Sequence, residues 1–475
     1  MIEEKISNLP HILGPEIIQM SGNFSLDFKG VSTDSRSIEK GNLFIPLIGD
    51  NYDGHHYLKH AFENGAAVAL TQNNLNDLDP SLPLFQVQNT QAALTVLARY
   101  WRQKVSPTKL IGLTGSNGKT TTKELIGHLL KDFFRTFYSK GNLNNHIGLP
   151  LSLLQMPIET EIAIIEMGMN HLGEIAHLAE IAQPHWGVIT SIGHAHVGEV
   201  GGIENVAKAK CEILPYLGPE PYLFAGLTHP SLAHFLDKNT IACDCIFEKE
   251  LQENLQLPKN FWTDQRIPVG YSCEQKSLDQ LFLNFNRGKT QVEICTDLFG
   301  VHYAHNITMA LCVGLNLGVP LEHMVAALKT FKAPVMRTEI RNIHGNTWIL
   351  DCYNANPDSM KSLLTTLYTL TQQPKFKNSL VLVLGDMKEL GDLSPQYHKN
   401  LAPLIEQLHP DKVFLLGEEI MPLLEELELS KTLKSEIKHF NSHEKLKNQL
   451  FQLTPKKYLV ALKASRGILL EKAIP

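Results

Sequence analysis

A short glycine-rich segment, TGSNGKTTTKE at residues 114–124, carries the residue types that hold phosphate groups. An apolar run precedes it, and Lys119 with three threonines begins a predicted helix. Backbone N–H groups in such a turn stabilise an anion, the lysine reaches the β- and γ-phosphates, and the hydroxyl of Thr120 ligates Mg²⁺. Leu113 replaces the first glycine of the full phosphate-loop motif, so this is a shortened form. We expect ATP or GTP here and take ATP; the alternative is a glycine turn beside a surface lysine.

Carboxylate and imidazole groups follow the next two predicted strands. Glu166 ends the apolar run EIAIIE, and His194 and His196 follow WGVITSIG. Because ligands bind at the carboxyl ends of the strands in open α/β sheets, we expect Glu166 to face the phosphate loop and hold Mg²⁺. A single histidine is as often structural as it is a ligand, and the strand-end position favours one of the two. These residue types are those of metal-assisted phosphoryl transfer.

The elements that must position these residues alternate between strand and helix. From residue 109 onwards, apolar strands alternate with amphipathic helices, which is typical of a parallel sheet covered on both faces. Residues 240–300 are predicted as a strand meander, and the alternation resumes after 331–337 in a unit of Rossmann size.

We therefore predict an α/β protein with three domains. These are a small N-terminal α/β domain at 1–106, a central parallel-sheet phosphate-loop domain at 107–332, and a C-terminal Rossmann-like α/β domain at 333–475.

Composition narrows the function classes. The 475 residues suit about three domains. A net charge of −6 disfavours a nucleic-acid binder, which needs a basic face. No apolar run approaches the roughly 20 residues of a membrane span, and the N-terminus lacks signal-peptide character, so we expect a cytoplasmic protein. The seven scattered cysteines, with Cys243 and Cys245 the nearest pair, are predicted to be free thiols rather than zinc ligands.

The ordered motifs resemble those of the Mur ligases, the ATP-dependent amide-forming enzymes of peptidoglycan precursor synthesis. The resemblance covers nearly the whole chain, from STDSRSIEKGNLFIPLIGDNYDGHHY through TGSNGKTTTKE, KGNLNNHIGLPLSLL, IIEMGMN, IGHAHVG, VAKAKCEIL and GVHYAHNITMAL to LKASRG. Two segments, YNANPDSM and LGDMKELG, resemble the member that adds D-alanyl-D-alanine to UDP-N-acetylmuramoyl-tripeptide. The sibling that adds the third residue has an Arg-containing motif in its last domain, which we do not find here.

The resemblance implies a role for each candidate residue. The implied ATP contacts are Thr114, Gly115, Ser116, Asn117, Gly118, Lys119, Thr120, Asn306, Arg337 and Asp351. The implied contacts to the peptide substrates are Ser35, Arg36, Asp53, His55, Asn144, Asn145, Tyr353, Asn354 and Asn356. The implied ligands of two Mg²⁺ ions are Thr120, Glu166, His196 and Lys210, and the implied catalytic residues are Lys119, His196 and Lys210. The chain departs from the family pattern at Tyr303, His305, Met336, Leu350 and Ala464.

Lys210 falls where relatives carry an N-carboxylated lysine. Only an amine with a depressed pKa reacts with CO₂, and the resulting carbamate presents oxygen atoms to a metal. Lys208 is the alternative, and a plain surface lysine is the simpler interpretation of whichever is unused.

The resemblance implies ligation through an acyl phosphate, with release of ADP and phosphate. It also implies a hinge at 331–337 that closes Arg337 and Asp351 onto the nucleotide, in a protein expected to be a monomer. The alternatives are the sibling that adds the third residue, a folylpolyglutamate synthase-like ligase, and a nucleotide-binding switch. The first hundred residues disfavour the folate enzyme, which needs no UDP-sugar domain. A switch needs neither a second metal nor an acceptor site.

Overall fold

The computed structural model describes residues 1–237, 241–250, 255, 257–258, 261–373, 379–455 and 457–475. Within them three main sheets follow one another along the chain, of five, nine and six strands. They confirm the expected α/β class with several parallel sheets. The predicted boundaries near residues 106 and 332 fall between these sheets and stay predictions.

The strands are β1 (Glu3–Lys5), β2 (Ile17–Ser21), β3 (Asp27–Lys29), β4 (Val31–Ser32), β5 (Leu43–Phe44), β6 (Ile48–Gly49), β7 (Tyr52–Asp53), β8 (Val68–Thr71), β9 (Leu84–Val87), β10 (Lys109–Thr114), β11 (Thr136–Tyr138), β12 (Ile162–Glu166), β13 (Trp186–Ile189), β14 (Tyr222–Gly226), β15 (Ala242–Glu248), β16 (Arg266–Ser277), β17 (Gln280–Arg287), β18 (Thr290–Thr296), β19 (Glu339–Ile343), β20 (Asn346–Asp351), β21 (Leu380–Gly385), β22 (Lys412–Leu416), β23 (Glu436–Phe440) and β24 (Leu459–Lys463).

The α-helices are α1 (Leu9–Leu13), α2 (Leu58–Glu63), α3 (Thr90–Val105), α4 (Lys119–Leu130), α5 (Gly148–Leu154), α6 (Glu174–Ala182), α7 (Val197–Val200), α8 (Ile203–Cys211), α9 (Pro230–Asp237), α10 (His302–Asn316), α11 (Leu321–Leu328), α12 (Pro357–Thr371), α13 (Ser394–Lys399), α14 (Ala402–Leu408), α15 (Met421–Leu429) and α16 (His443–Phe451).

The first sheet has the order β2-β9-β8-β5-β4, with β2 antiparallel to β9 and the remaining pairs parallel. Helix α3 joins it to the central sheet. Its apolar stripe, which includes Leu94 and Leu97, is buried, as its periodicity predicts. Trp101 of the same helix donates a hydrogen bond of 2.8 Å to the carbonyl of Met156, so α3 anchors the first sheet on the second.

The central sheet has the order β11-β12-β10-β13-β14-β15-β16-β17-β18. Neighbouring residues of strand β10 pack on opposite faces of this sheet, with Leu110 in one core cluster and Ile111 in the other. Strands β11 to β16 are parallel, and β16, β17 and β18 form an antiparallel meander. The meander expected over 240–300 therefore begins only after β15, which still continues the parallel sheet. Cys243 and Cys245 of β15 are buried and form no disulfide.

The third sheet has the order β19-β20-β24-β21-β22-β23, parallel except for the β19/β20 pair. The loops after β20 and β21 meet the loops after β10 and β13, because side chains of these loops bond one another across the gap. The fold thus brings the carboxyl ends of two parallel sheets face to face. Within the described parts of the chain, no helix has the length and apolar character that a membrane crossing requires.

Candidate active site

The phosphate loop between β10 and α4 needs its two glycines. Gly115 and Gly118 have φ values of +150° and +79°, which side chains rarely adopt. A Cβ atom at Gly115 would lie 1.8 Å from the hydroxyl oxygen of Thr190, and one at Gly118 would lie 2.4 Å from Oδ1 of Asn306. The loop is therefore pressed against the end of β13 on one side and against α10 on the other.

Hydrogen bonds fix this loop to the end of β13. The backbone N–H of Asn117 donates to the Ser191 hydroxyl at 2.9 Å, and the Thr190 hydroxyl donates to the backbone carbonyl of Asn117 at 2.6 Å. Lys119 folds back over the loop and donates to the Gly115 carbonyl at 2.7 Å. Burial lowers the pKa of Lys119. A rigid loop, a helix N-terminus and a lysine together form an anion site.

Glu166, at the end of β12, lies beside this loop. It accepts hydrogen bonds from the Thr120 hydroxyl at 3.0 Å and from the Asn144 amide at 2.9 Å. The fully buried ammonium of Lys123 lies 3.1 Å from the same carboxylate. Burial alone would raise the pKa of Glu166, but Lys123, Lys119 and Asn144 outweigh it and hold that pKa below its usual value. One carboxylate and one hydroxyl beside a phosphate site fit Mg²⁺, which completes its shell with phosphate and water oxygens.

Lys123 was not singled out from the sequence. Its position three residues after Thr120 on the same helix was the available signal, because residues at that spacing share a helix face.

The two histidines after β13 have different partners. Nδ1 of His196 lies 2.8 Å from a carboxylate oxygen of Glu389, in the loop after β21. His194 donates its backbone N–H to Asp358 at 2.6 Å and has Nδ1 2.9 Å from the other oxygen of that carboxylate. The hydrogen bond to Asp358 raises the pKa of His194. Neither acidic partner was anticipated from the sequence.

Lys210 is buried on α8 with 1% of its surface exposed. Its ammonium makes no hydrogen bond or ion pair with any described residue, and burial, with Lys119 adding, lowers its pKa well below the usual value. Lys208, two residues earlier on the same helix, is exposed. Among the described residues, no group of three or more histidine, cysteine, aspartate or glutamate side chains could hold a metal ion.

The third sheet contributes groups that close over the phosphate loop. Arg337 donates from Nη2 to the Thr120 hydroxyl at 3.0 Å, and its guanidinium lies 4.3 Å from the ring centre of Tyr353. Asp351 pairs with the ammonium of Lys463 at 2.5 Å. Asn356 donates from Nδ2 to Oδ1 of Asn117 at 2.7 Å. The two domains thus meet in a closed arrangement around the phosphate site.

Two departures from the family pattern have clear structural contacts. The Tyr303 hydroxyl donates to the Arg337 carbonyl at 2.9 Å and so fixes the base of that arginine. Nε2 of His305 lies 2.7 Å from the Thr190 carbonyl, next to the phosphate loop. Both side chains therefore support the site from α10.

A cavity of about 910 Å³ lies between the central and third sheets. The predicted residues that line it are Ser116, Asn117, Gly118, Lys119, Thr120, Asn144, Asn145, Glu166, His196, Asn306, Arg337, Asp351, Tyr353, Asn354 and Asn356. Thr114, Gly115 and Lys210 are not among its lining residues. Thr114 and Gly115 directly precede Ser116, which lines the cavity, whereas Lys210 is buried on α8.

The predicted residues of the first domain lie at a second pocket. Ser35 and Arg36 line it, and Arg36 pairs with Asp34 at 2.7 Å while most of its side chain stays exposed. Asp53 and His55 are not among the lining residues. The His55 ring is buried, with Nδ1 2.6 Å from Asp53 and Nε2 accepting from a backbone N–H at 3.0 Å. The structure therefore gives His55 a bracing position instead of the substrate-facing position that the resemblance implied.

Three family models match the chain in order. They are described as Mur ligase family, catalytic domain (residues 27–102), Mur ligase middle domain (113–314), and Mur ligase, glutamate ligase domain (336–466). A Bacillus subtilis protein named UDP-N-acetylmuramoyl-tripeptide–D-alanyl-D-alanine ligase is 34% identical over 455 residues, covering 94% of this chain and 92% of the relative.

Solved structures show the same likeness. A crystal structure of MurF from Acinetobacter baumannii has a TM-score of 0.81 at 27% identity and covers 100% of this chain and 98% of its own. MurF ligase from Thermotoga maritima in complex with ADP has a TM-score of 0.74 at 25% identity, covering 94% and 96%. The likeness thus spans all three sheets.

Proposed function

The chain belongs to the Mur ligase family, and from this premise we propose that it joins D-alanyl-D-alanine to UDP-N-acetylmuramoyl-tripeptide. The product is the UDP-muramoyl-pentapeptide of peptidoglycan synthesis. The observation that carries this proposal is the cavity in which a phosphate loop faces strand ends of a second sheet, with Arg337 donating to Thr120 across it. The 34% identity to a ligase of that name, over 94% of this chain, supports the choice of substrates.

The reaction needs activation because a carboxylate resists attack by an amine. An oxygen of the tripeptide carboxylate attacks the γ-phosphorus of ATP, the bond to ADP breaks, and an acyl phosphate forms. The nitrogen of the dipeptide then attacks the acyl carbon, and the carbon–oxygen bond breaks as phosphate leaves with the electron pair. The original ammonium loses two protons in all: one stays on the phosphate and the other goes to solvent.

The chain's own residues contribute position and charge. Lys119 and Arg337 lie where the γ-phosphate would be transferred. Their positive charges, held in a closed site, would stabilise the anionic transition state. Asn306 lies tight against Gly118, and the family resemblance supports a contact from this side chain to the nucleotide base. Closure by the third domain excludes water, which would otherwise hydrolyse the acyl phosphate.

We propose that Thr120 and Glu166 hold one Mg²⁺, which neutralises charge on the β- and γ-phosphates when bound. A second ion would have His196 and an N-carboxylated Lys210 as ligands. Lys210 suits this modification because it is buried, lacks a partner among the described residues and has a lowered pKa.

We propose that the acceptor lies across the first domain and the large cavity. Ser35 and Arg36 would hold its UDP end, since a guanidinium with an adjacent hydroxyl suits a pyrophosphate. Asn144, Asn145 and Asn354 line the cavity where the peptide end and the dipeptide would meet. We also propose that the enzyme acts as a monomer in the cytoplasm, where ATP and nucleotide-linked precursors are available.

The test is a product assay. The protein is incubated with ATP, D-alanyl-D-alanine and UDP-muramoyl-tripeptide that contains either diaminopimelate or lysine, and the product is weighed by mass spectrometry. We expect the pentapeptide mass together with equimolar ADP and phosphate. Turnover only with UDP-muramoyl-dipeptide and a third amino acid, or only with a folate and glutamate, would overturn the assignment in favour of a sibling enzyme.

A further inference from the structure

Glu389 is a cavity-lining carboxylate that the chemistry above does not use. It lies in the loop after β21, within the LGDMKELG motif, and its side chain is 47% exposed. One carboxylate oxygen lies 2.8 Å from Nδ1 of His196. Glu389 therefore belongs to the third domain but faces His196 of the central domain across the cavity.

The other acids that line the cavity are already engaged. Glu166 is held by Thr120 and Lys123. Asp351 pairs with a lysine and Asp358 accepts two bonds from a histidine. The remaining lining acid, Glu174, accepts a backbone N–H of its own loop at 2.6 Å. Glu389 has one ion-pair partner among the described residues, an imidazole, and keeps nearly half its surface open to the cavity.

The backbone around Glu389 is held firmly. The N–H of Met387 donates to His398 at 3.0 Å, and the N–H of Lys388 donates to the Ser465 hydroxyl at 2.9 Å. The ammonium of Lys388 bonds Asp386 at 2.9 Å. These bonds fix both residues that precede Glu389.

Glu389 and His196 both have left-handed backbone conformations, with φ values of +66° and +61°. Such conformations are unfavourable for residues other than glycine and concentrate where function requires a particular aim. Two of them facing each other across the domain gap indicate a positioned carboxylate rather than a chance surface acid.

We propose that Glu389 binds the ammonium group of the incoming D-alanyl-D-alanine and directs that nitrogen toward the acyl phosphate. The inference rests on the proposed function and adds the residue that recognises the nucleophile. A dipeptide enters as a zwitterion, so its amino end needs an anionic partner, and charge-assisted hydrogen bonds are the strong ones. Glu389 supplies it from the domain that closes over the phosphate loop.

The imidazole of His196 makes this geometry directional. Its Nδ1 lies 2.8 Å from one oxygen of Glu389, and 47% of the glutamate side chain remains exposed. Lys119 lines the same cavity as Glu389. The substrate ammonium would therefore be bound in the cavity that holds the lysine of the phosphate loop.

The test uses Glu389→Gln, which removes the charge and keeps an oxygen for His196. We expect the KM for D-alanyl-D-alanine to rise about tenfold or more, as loss of a charged hydrogen bond implies. The KM values for ATP and for the UDP-tripeptide should stay within about twofold. Asp392→Asn removes a charge from an exposed residue of the same loop and is the matched control, expected to leave all three KM values unchanged.

Hydroxylamine, which is uncharged at neutral pH, separates recognition from activation. It attacks the acyl phosphate to give a hydroxamate and phosphate without an ammonium group to bind. Hydroxamate formation by Glu389→Gln near the wild-type rate supports the proposal and also shows that the variant is folded. A fall in hydroxamate formation equal to that in ligation would overturn it, because Glu389 would then act on activation through His196.

Two further outcomes are informative. Glu389→Asp keeps the negative charge on a side chain that is one methylene shorter, so its KM for D-alanyl-D-alanine should lie between those of the wild type and Glu389→Gln. A KM equal to that of the wild type in both variants overturns the proposal. If the wild-type enzyme makes no hydroxamate from ATP and the UDP-tripeptide, the proposed function itself fails, whatever the variants do.

Discussion

At the level of single residues, burial separates Lys210 from Lys208. Both lie on α8, yet one is enclosed without a described partner and the other is exposed. Burial lowers the pKa of the Lys210 amine well below its usual value, which favours the neutral form that reacts with CO₂. Chemical reactivity here is a property of the surroundings and not of the residue type.

Lys210→Ala should reduce ligation sharply, since the carbamate at this position would supply a metal ligand. Removing CO₂ and bicarbonate should partly reproduce the defect in the wild type. Lys208→Ala should leave ligation unchanged. Carbon-13 NMR with labelled bicarbonate should detect a carbamate in the wild type that disappears in Lys210→Ala. A structure with both metals and nucleotide bound to an unmodified Lys210 would contradict the prediction.

At the level of secondary structure elements, the helix that begins at Pro357 connects stability with the site. Asn356 caps α12: its side chain accepts from the Ser359 N–H at 2.9 Å, and the Ser359 hydroxyl accepts in return at 3.0 Å. The same side chain donates to Asn117 in the phosphate loop. One residue therefore caps the N-terminus of a helix and contacts the opposite domain.

Substitutions can separate these two roles. Asn356→Ala should lower the free energy of unfolding by about 1 kcal/mol through loss of the cap, and should also raise the KM for ATP. Asn356→Asp keeps an accepting oxygen for the cap. Its second carboxylate oxygen replaces Nδ2 and lies against Oδ1 of Asn117, so only the KM for ATP should change. Urea unfolding and initial rates measure the two effects; a destabilised aspartate variant would contradict this division.

The junction of β10 and β13 contains a histidine that must stay neutral. Nδ1 of His185 accepts the Leu110 N–H at 2.8 Å. Burial, with the charges of Arg102 and Lys109, lowers the pKa of His185 to about 4. In the unfolded chain its pKa is about 6.5. Between these values the unfolded state binds more protons, so stability falls as the pH falls from about 6.5 to about 4.

His185→Asn should keep an acceptor for Leu110 and remove the titration. We therefore expect the free energy of unfolding of the variant to depend less on pH than that of the wild type between pH 6.5 and 4, while the two curves run parallel above pH 7. Urea titrations across this range measure the difference. Identical pH dependence would show that His185 titrates normally in the folded state.

At the level of the whole molecule, the backbones of the central and third domains come close together at a pair of glycines. A Cβ atom at Gly198 would lie 2.6 Å from the backbone nitrogen of Gly391. Gly198 is in α7 and its φ is not positive, so alanine suits its backbone. Only the neighbouring domain excludes a side chain there.

Gly198→Ala should therefore hinder closure without harming the fold. We expect unfolding stability within about 0.5 kcal/mol of the wild type, a larger radius of gyration in X-ray scattering with ATP bound, and slower ligation. Gly218→Ala is the control, because its Cβ would make only ordinary contacts, at 3.5 Å and beyond. Unchanged scattering and turnover in Gly198→Ala would show that the gap at this junction adapts.

Local patterns predicted much of this arrangement. The α/β alternation identified the central and third sheets, and glycine spacing with strand-end acids located the phosphate loop and Glu166. Contacts between residues that are distant along the chain could not be predicted from local sequence patterns. His194 and Asp358 are 164 residues apart, and no local spacing encodes such a pair. The burial of His55 was missed for the same reason, since its enclosure depends on a strand that follows later in the chain.

Because the reaction chamber is built from surfaces of two sheets, it exists only while those surfaces touch. We therefore expect product release to require separation of the two domains. Reopening would then limit turnover whenever the chemical step is faster. The contact at Gly198 suits this separation: two bare backbones meet without side chains that would interlock and delay reopening.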